Sequence, residues 1–235
     1  METFTYLVLV PMVYLAFAVF IIGSVWRVFR IITRPSFAPT LKIYPERKPA
    51  WLYALSDTFL MPTVLRHNVL LWLVLMSFHV AVALLILGHL ELFAEIGFLQ
   101  IWPHQIFLGA GWVGFVVLAA LLVLLFRRVL PPAKDLSVAE DYLLLILLFL
   151  TALFGAQMHW ARRFYDYFSM DAPEYREYLM SLLTFQPSIE SVQDAGHSFM
   201  LVMHVFFANL FIMFFPFSKM MHSMFSLPVN KLRRG

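Results

Sequence analysis

Five long apolar runs constrain the fold of this chain more than any other feature of its sequence. They lie at about residues 5–26, 69–92, 105–126, 141–161 and 197–221. Each is long enough to cross the hydrocarbon core of a bilayer, which is roughly 30 Å thick and takes about 20 helical residues. Only a helix satisfies all backbone donors and acceptors within such a segment. The sequence therefore predicts an all-α integral membrane bundle of five transmembrane helices, forming a single membrane domain over residues 1–235.

The composition agrees with a membrane protein and excludes several kinds of site. Hydrophobic residues make up 62% of the chain and charged residues 13%, whereas soluble domains are about one-quarter charged. The chain has no cysteine, which excludes disulfides, cysteine-ligated iron–sulfur clusters and covalent attachment of c-type heme. No basic stripe accompanies exposed aromatic residues, so no nucleic-acid partner is expected. The first run lacks a basic leader and a cleavage pattern, which favours a permanent span.

Charges in the connections predict the orientation of the chain. Most of the 17 lysines and arginines lie after the first run, in the third connection and in the C-terminal tail. The second connection has none, and acidic residues outweigh arginines in the fourth. The positive-inside rule then places the N-terminus outside and the C-terminus in the cytoplasm. Residues 50–62 are expected to form an interfacial helix on the inner surface, and residues 171–185 one on the outer surface.

Four of the eight histidines lie in or at the end of two apolar runs: His79 and His89 in the second, His204 and His222 in the fifth. An ionisable side chain inside a span is costly and therefore a functional candidate. Because the two runs cross the membrane in opposite directions, His79 is expected to face His222 at the inner level. His89 is expected to face His204 at the outer level.

Two facing imidazoles can occupy both axial positions of a b-type heme. The histidines are 10 residues apart in the second run and 18 in the fifth, which correspond to about 15 and 27 Å of helix. We therefore expect helix tilt or a distortion near Pro216 to reconcile the two spacings. The residues alone leave two other roles open, which are hydrogen bonding between helices and a proton relay.

Four short motifs carry a resemblance to a known family: Phe78-His79, Gly88-His89, the Leu201–His204 segment and the Phe215–His222 segment. Together they resemble the gamma subunit of respiratory nitrate reductase, a five-span di-heme cytochrome b. They also resemble related cytochrome b subunits of sulfate-reducer transmembrane redox complexes and of heterodisulfide reductase. The resemblance implies two b hemes, the inner one on His79 and His222 and the outer one on His89 and His204.

Two further residues are candidates for contacts with heme. Gly88 would let a porphyrin face approach the second helix, although ordinary close packing between helices also explains a glycine there. Arg128 ends the third run, and the resemblance favours it as the partner of the inner heme propionates, because a guanidinium binds carboxylates in a bidentate manner. The alternative is a solvated positive-inside anchor.

Three histidines near the predicted outer face are candidates for a quinone site. His104 is expected at the start of the third span, where it would bond a quinone carbonyl and accept the proton released on oxidation. His197 lies seven residues before His204 and so shares its helix face. His159 is a further candidate. The alternative for each is an interfacial histidine without a ligand.

The resemblance implies a subunit of a quinone-linked oxidoreductase in the cytoplasmic (inner) membrane of a bacterium or archaeon, serving anaerobic respiration. Electrons would pass between menaquinone or ubiquinone at the outer face and cytoplasmic iron–sulfur subunits, with further membrane or periplasmic redox subunits and lipid as partners. The long first connection and residues 66–72 favour a sulfur-metabolism complex over nitrate reductase. Alternatives are a heme-bearing conduit and anchor without its own quinone site, and a transporter or structural protein without heme.

Overall fold

The computed structural model describes residues 2–33, 46–93, 111–165, 170, 172–194 and 198–234. All regular elements in these ranges are helical. They are α1 (Glu2–Leu9), α2 (Pro11–Ile32), α3 (Ala50–Leu55), α4 (Pro62–His67), α5 (Val69–Glu91), α6 (Trp112–Val129), α7 (Ala139–Tyr165), α8 (Ala172–Leu183), α9 (Glu190–Asp194), α10 (Phe199–Phe214) and α11 (His222–Arg234). A π-helical turn covers Ser56–Leu60, and 3₁₀ turns cover Lys134–Leu136, Phe215–Phe217 and Lys219–Met221.

Five of these helical segments are long and apolar enough to cross a membrane, which confirms the predicted number of spans. They are Glu2–Ile32, Val69–Glu91, Trp112–Val129, Ala139–Ala161 and Phe199–Phe217. Residues 94–110 lie outside the described ranges, so the predicted start of the third span near residue 105 falls there too. Large apolar side chains cover the outside of the bundle, for example Ile22 and Leu70. An exposed apolar surface of this kind belongs in lipid, and the chain is a multi-pass membrane protein.

The spans pack as an arc. Helix α5 packs on α6, α6 on α7, α7 on α10, and α10 on α2. Val117 and Leu121 of α6 are fully buried in the apolar core that α5, α6 and α7 share. Helices α5 and α10 therefore form the two edges of the four-helix part of this arc, and they make little direct backbone contact within the described residues. We call the end of the bundle at which α2, α6 and α10 finish the C-terminal face, and the opposite end the N-terminal face.

A kink at Pro11 divides the first span into α1 and α2. Proline has no N–H, so it cannot continue the helical ladder, and carbonyls in the preceding turn lose their partners. The amide of Asn209 donates to the Val8 carbonyl at 3.2 Å, and the hydroxyl of Tyr178 donates to the Leu9 carbonyl at 2.7 Å. The kink thereby connects α1 to α10 and to α8, which is the surface helix predicted at residues 171–185.

The fifth span ends in an irregular joint before α11. Helix α10 stops at Phe214, a 3₁₀ turn contains Pro216, and Ser218 is extended at φ −108° and ψ 174°. The expected distortion near Pro216 is confirmed. Beyond the joint, α11 packs on α3, where the surface helix at residues 50–62 was predicted. Asp57, in the π-helical turn after α3, accepts a hydrogen bond from Arg234 of α11.

Candidate functional site

Two pairs of histidine rings lie between α5 on one side and α10 and α11 on the other. His79 of α5 and His222, at the start of α11, have ring centroids 6.3 Å apart and ring planes at 81°. His89 of α5 and His204 of α10 have ring centroids 6.1 Å apart and ring planes at 20°. These are the two pairs that were predicted from the opposite directions of the second and fifth runs. The structure brings the members of each pair together, and the two pairs lie at different levels of the bundle. Their role as metal ligands stays a prediction.

Each of the four rings has one nitrogen held by a backbone carbonyl. The Nδ1 atoms of His79 and His89 lie 2.7 Å from carbonyls one turn earlier on α5. The Nδ1 of His222 lies 3.0 Å from the Lys219 carbonyl. A carbonyl accepts only from an N–H, so Nδ1 carries the proton in each neutral ring. The Nε2 atom keeps its lone pair, which is the arrangement found in metal-binding histidines.

His204 is oriented by a neighbouring span rather than by its own helix. Its Nδ1 lies 2.8 Å from the carbonyl of Thr151 on α7. One turn later on α7, Gly155 faces the same ring, and a Cβ built on this glycine would lie 3.1 Å from two of the ring atoms. Helix α7 therefore both holds and makes room for the ring. On the other pair, the buried side chain of Phe78 packs edge-on against His79 at 5.3 Å between centroids.

The spacing within each pair fits one metal ion between two imidazoles. Metal–imidazole bonds are about 2 Å long and the ring centre lies about 1 Å beyond the nitrogen, so two rings on opposite sides of one ion have centroids roughly 6 Å apart. Within the described ranges, no three His, Cys, Asp or Glu side chains gather as they do around zinc. Two nitrogens on opposite sides of a flat macrocycle are instead the donor set of a low-spin b heme, and the four histidines fit that group.

Arg128 takes part in a charged cluster at the C-terminal face. Its Nη1 atom lies 3.1 Å from the Asp141 carboxylate and 3.1 Å from the hydroxyl of Ser137. The same carboxylate accepts hydrogen bonds from the ammonium of Lys219 at 2.9 and 3.0 Å. The structure therefore gives the Arg128 guanidinium a carboxylate partner within the protein, and its contact with a heme propionate stays a prediction.

The remaining predicted residues divide between described and undescribed parts of the chain. His104 and His197 lie outside the described residues. His159 is on α7, one turn beyond Gly155, and its ring lies against Gly111 at the start of α6. It thus sits at the N-terminal face, on the helix that holds His204. Gly88 lies next to His89 on α5, and its role stays a prediction.

Sequence reasoning missed three residues around the histidine pairs, which are Thr151, Gly155 and Asp141. Thr151 and Gly155 show the small-xxx-small spacing that is typical of close helix contacts in membranes, and this signal could have indicated a close contact of α7. The lone Thr151 carbonyl has no side-chain signature. Asp141 is nearly fully buried but reads in sequence as an ordinary acidic residue in the first turn of a helix.

One protein family and two curated proteins are similar to this chain. The family model of the nitrate reductase gamma subunit matches residues 62–235. A protein of Archaeoglobus profundus, named Hdr-like menaquinol oxidoreductase cytochrome b-like subunit, is 26% identical over 252 aligned positions, covering 89% of this chain and 73% of that protein. The protein of the same name from Archaeoglobus fulgidus is 27% identical over 164 positions.

The match to the Archaeoglobus fulgidus protein covers 65% of this chain and 47% of that protein, so the chain spans about half of that relative's length. The family model includes α5, α6, α7, α10 and α11, and with them all four paired histidines. From this coverage, the chain belongs to the nitrate reductase gamma subunit family.

Proposed function

We propose that the chain is a di-heme cytochrome b, the membrane subunit of an anaerobic respiratory oxidoreductase. It would pass electrons between a quinone at one membrane face and a redox partner at the other. The observation that carries this proposal is the presence of two histidine pairs at 6.3 and 6.1 Å, stacked along the bundle. The family membership and the cytochrome b-like subunits among the relatives support it.

The four histidines would hold two b hemes, His79 with His222 and His89 with His204. When bound, heme iron supplies reversible one-electron chemistry. If both imidazoles of a pair bind the same iron, the protein would leave no position open for a substrate, and these sites would be suited to electron transfer. The ten-residue interval from His79 to His89 separates the two levels by about 15 Å along α5.

The distribution of cations supports the orientation of the subunit. Described arginines and lysines are concentrated at the C-terminal face, including Arg27, Arg66, Arg128 and Lys219. By the positive-inside rule, this face is cytoplasmic and the N-terminal face lies outside. The pair His79–His222 is then the inner site and the pair His89–His204 the outer one.

A quinone site is proposed at the outer face, beside His89 and His204. His104, His197 and His159 are the candidates for binding a quinone carbonyl and for taking the proton that quinol oxidation releases outside. Menaquinol is favoured over ubiquinol, because both Archaeoglobus relatives are named as menaquinol oxidoreductase subunits. The long first connection and residues 66–72 are the reason for favouring a sulfur-metabolism complex over nitrate reductase.

The partner at the inner face is proposed to be a cytoplasmic iron–sulfur subunit, with further membrane or periplasmic redox subunits in the complex. The chain has no cysteine, so thiolate-ligated clusters must belong to other chains. The surface formed by α3 and α11 lies at the inner face and carries basic residues, which suits an acidic partner surface.

The ligand assignment is tested by replacing each of the four histidines with alanine in the intact complex and measuring b heme by the pyridine hemochrome method. Each substitution is expected to remove one of two hemes. The control is His67→Ala. His67, on α4, also has an Nδ1 that contacts a carbonyl one turn earlier, at 2.7 Å, but it belongs to neither pair. Full heme content in any of the four variants would contradict the proposal.

The quinone assignment needs a separate test. Menaquinol is expected to reduce the hemes of the purified complex, and a quinone-site inhibitor is expected to prevent this. Replacing His104 distinguishes the main proposal from the alternative of a conduit and anchor without its own quinone site. A slower menaquinol-dependent reduction with full heme content supports a site in this chain. An unchanged rate rejects His104 as part of it.

A further inference from the structure

The joint between α10 and α11 places His222 without the support of a continuous helix. Helix α10 ends at Phe214, and the residues that follow form two 3₁₀ turns separated by the extended Ser218. A residue eight positions beyond the end of a helix, across such a break, is not fixed by that helix alone. The ring of His222 nevertheless lies within 6.3 Å of His79. Other contacts must therefore hold the joint in place.

The guanidinium of Arg27 on α2 donates to the carbonyls of Pro216 and Ser218 in the joint, at 2.7 and 3.3 Å. Lys219 fastens the joint to a second span, α7. Its backbone N–H donates to the Glu140 carboxylate at 2.9 Å, and its ammonium donates to both Asp141 oxygens at 2.9 and 3.0 Å. Its carbonyl accepts from the Nδ1 of His222 at 3.0 Å. One residue thus connects the first turn of α7 directly to the imidazole of His222.

The other end of this connection is rigid because Asp141 is buried and held from several sides. Its side chain is 4% exposed, whereas that of Lys219 is 59% exposed. Asp141 also accepts from the backbone N–H of Val138 at 3.2 Å and lies 3.1 Å from the Arg128 guanidinium. Charge-assisted hydrogen bonds are roughly twice as strong as neutral ones. The carboxylate is therefore a fixed anchor, and the lysine reaches to it from the surface.

We propose that Asp141 and Lys219 form a positioning pair that sets the orientation of the His222 ring at its metal site. This inference rests on the proposed function, since it assigns a role to residues that act through a predicted ligand. Removing a partner that holds a metal-binding histidine typically lowers the metal affinity by about 10- to 100-fold. The pair acts on His222 and has no contact with His204, which is held instead by α7 at Thr151.

The test uses Asp141→Asn, Lys219→Met and Lys219→Arg in the intact complex, with Lys134→Met as the matched control. Lys134 is an exposed cation of the loop between α6 and α7, at the same face. Heme content and the low-spin ferric EPR signals of both sites are measured, because those signals depend on the angle between the two ring planes. The angle between the ring planes is 81° at the His79–His222 site and 20° at the His89–His204 site, so the two EPR signals are expected to differ.

Asp141→Asn and Lys219→Met are expected to change or weaken the signal of the His79–His222 site while leaving that of the His89–His204 site unchanged. Lys219→Arg is expected to restore the wild-type signal, because arginine can still donate to the carboxylate. An intact second signal shows that the variant is folded. If the Asp141→Asn protein does not accumulate, the two Lys219 variants provide the test, because the Lys219 side chain is exposed.

Two results overturn the inference. One is a wild-type signal from the His79–His222 site in Lys219→Met, and the other is an equal change at both sites. Failure of the proposed function looks different, because the alanine variants of His79 and His222 would then have the same heme content as the wild type. If those variants lose one heme and Lys219→Met changes nothing, only the positioning role is rejected.

Discussion

Gly155 of α7 lies directly against the imidazole of His204, and a Cβ at this position would stand 3.1 Å from the ring Cε1 and Nδ1 atoms. The same ring is held by the Thr151 carbonyl one turn earlier, so it cannot move away without losing that hydrogen bond. We predict that Gly155→Ala shifts the EPR signal of the His89–His204 site. Gly155→Val should weaken heme binding there, because overpacking costs about 1–3 kcal/mol.

The matched control for this prediction is Gly114→Ala. Gly114 lies on α6 against Ala156, where an added Cβ would meet a neighbouring carbon at an ordinary 3.5 Å. This variant is expected to keep both signals and both hemes. Wild-type behaviour of Gly155→Val would show that the ring tolerates displacement and that the glycine serves only the packing of helices.

The pairing of histidines makes a prediction for double variants. Two ligands of one site act as a unit, so losses within a pair do not add. His79→Ala with His222→Ala is expected to retain one heme, as each single variant does. His79→Ala with His204→Ala is expected to retain none, because each change disables a different site. The reverse pattern in hemochrome assays would mean that His79 pairs with His204 in the membrane.

The sequence was sufficient for the number of spans and for both histidine pairs, and the reason is physical. Spans are limited by bilayer thickness, and ten residues of α5 fix the two levels at which His79 and His89 lie. The contacts that orient the rings were not predictable. The Thr151 carbonyl is a backbone group that every residue has, and the link from Asp141 to Lys219 joins residues far apart in sequence.

Pro11 marks the position of the kink in the first span, but the contacts made at the kink could not be predicted from the sequence. The partners of the carbonyls at Val8 and Leu9 are Asn209 and Tyr178, which only the packing of α8 and α10 brings there. Propensity and periodicity describe one helix at a time. They do not identify which distant polar side chain satisfies a freed carbonyl.

Tyr178 provides a stability prediction outside the spans. Its hydroxyl is buried and donates to the Leu9 carbonyl at 2.7 Å. Removing the donor in Tyr178→Phe leaves a buried carbonyl without this partner, which is expected to cost about 1–3 kcal/mol. The control is Tyr14→Phe, whose hydroxyl donates to the Leu182 carbonyl from a partly buried position, and a smaller loss is expected. Thermal unfolding in detergent measures both.

The same residue predicts how stability depends on pH. Burial, and secondarily Tyr14, raises the pKa of the Tyr178 hydroxyl above its ordinary value of about 10. A raised pKa in the folded state means that the stabilisation is fully present below the unfolded pKa and is lost as pH rises above it. The difference in unfolding temperature between wild type and Tyr178→Phe should therefore be constant up to about pH 9 and shrink above pH 10. A decline between pH 6 and 9 would contradict this assignment.

An ion pair between Asp57 and Arg234 holds the far end of α11 on α3. Asp57 lies 2.6 Å from both the Nε and the Nη2 atoms of Arg234, with side chains 17% and 15% exposed, respectively. Asp57→Asn leaves the arginine without its countercharge. This should weaken the docking of α11 on α3 by about 1–3 kcal/mol, the usual contribution of a hydrogen bond to a charged group. Faster trypsin cleavage near Lys231 and Arg233 measures this, with the exposed Asp135→Asn as control.

The Asp57→Asn variant, which loosens α11 at Arg234, also tests which contacts position His222 at the other end of this helix. If the Asp141–Lys219 pair sets the ring, Asp57→Asn should accelerate cleavage and leave the EPR signal of the His79–His222 site unchanged. The distance along α11 favours this result, because twelve residues from His222 to Arg234 rise about 18 Å, and fraying at one helix end does not reach the other. A changed signal in Asp57→Asn would instead mean that the docking of α11 on α3 positions His222. The Asp141–Lys219 pair would then not determine the orientation of the ring.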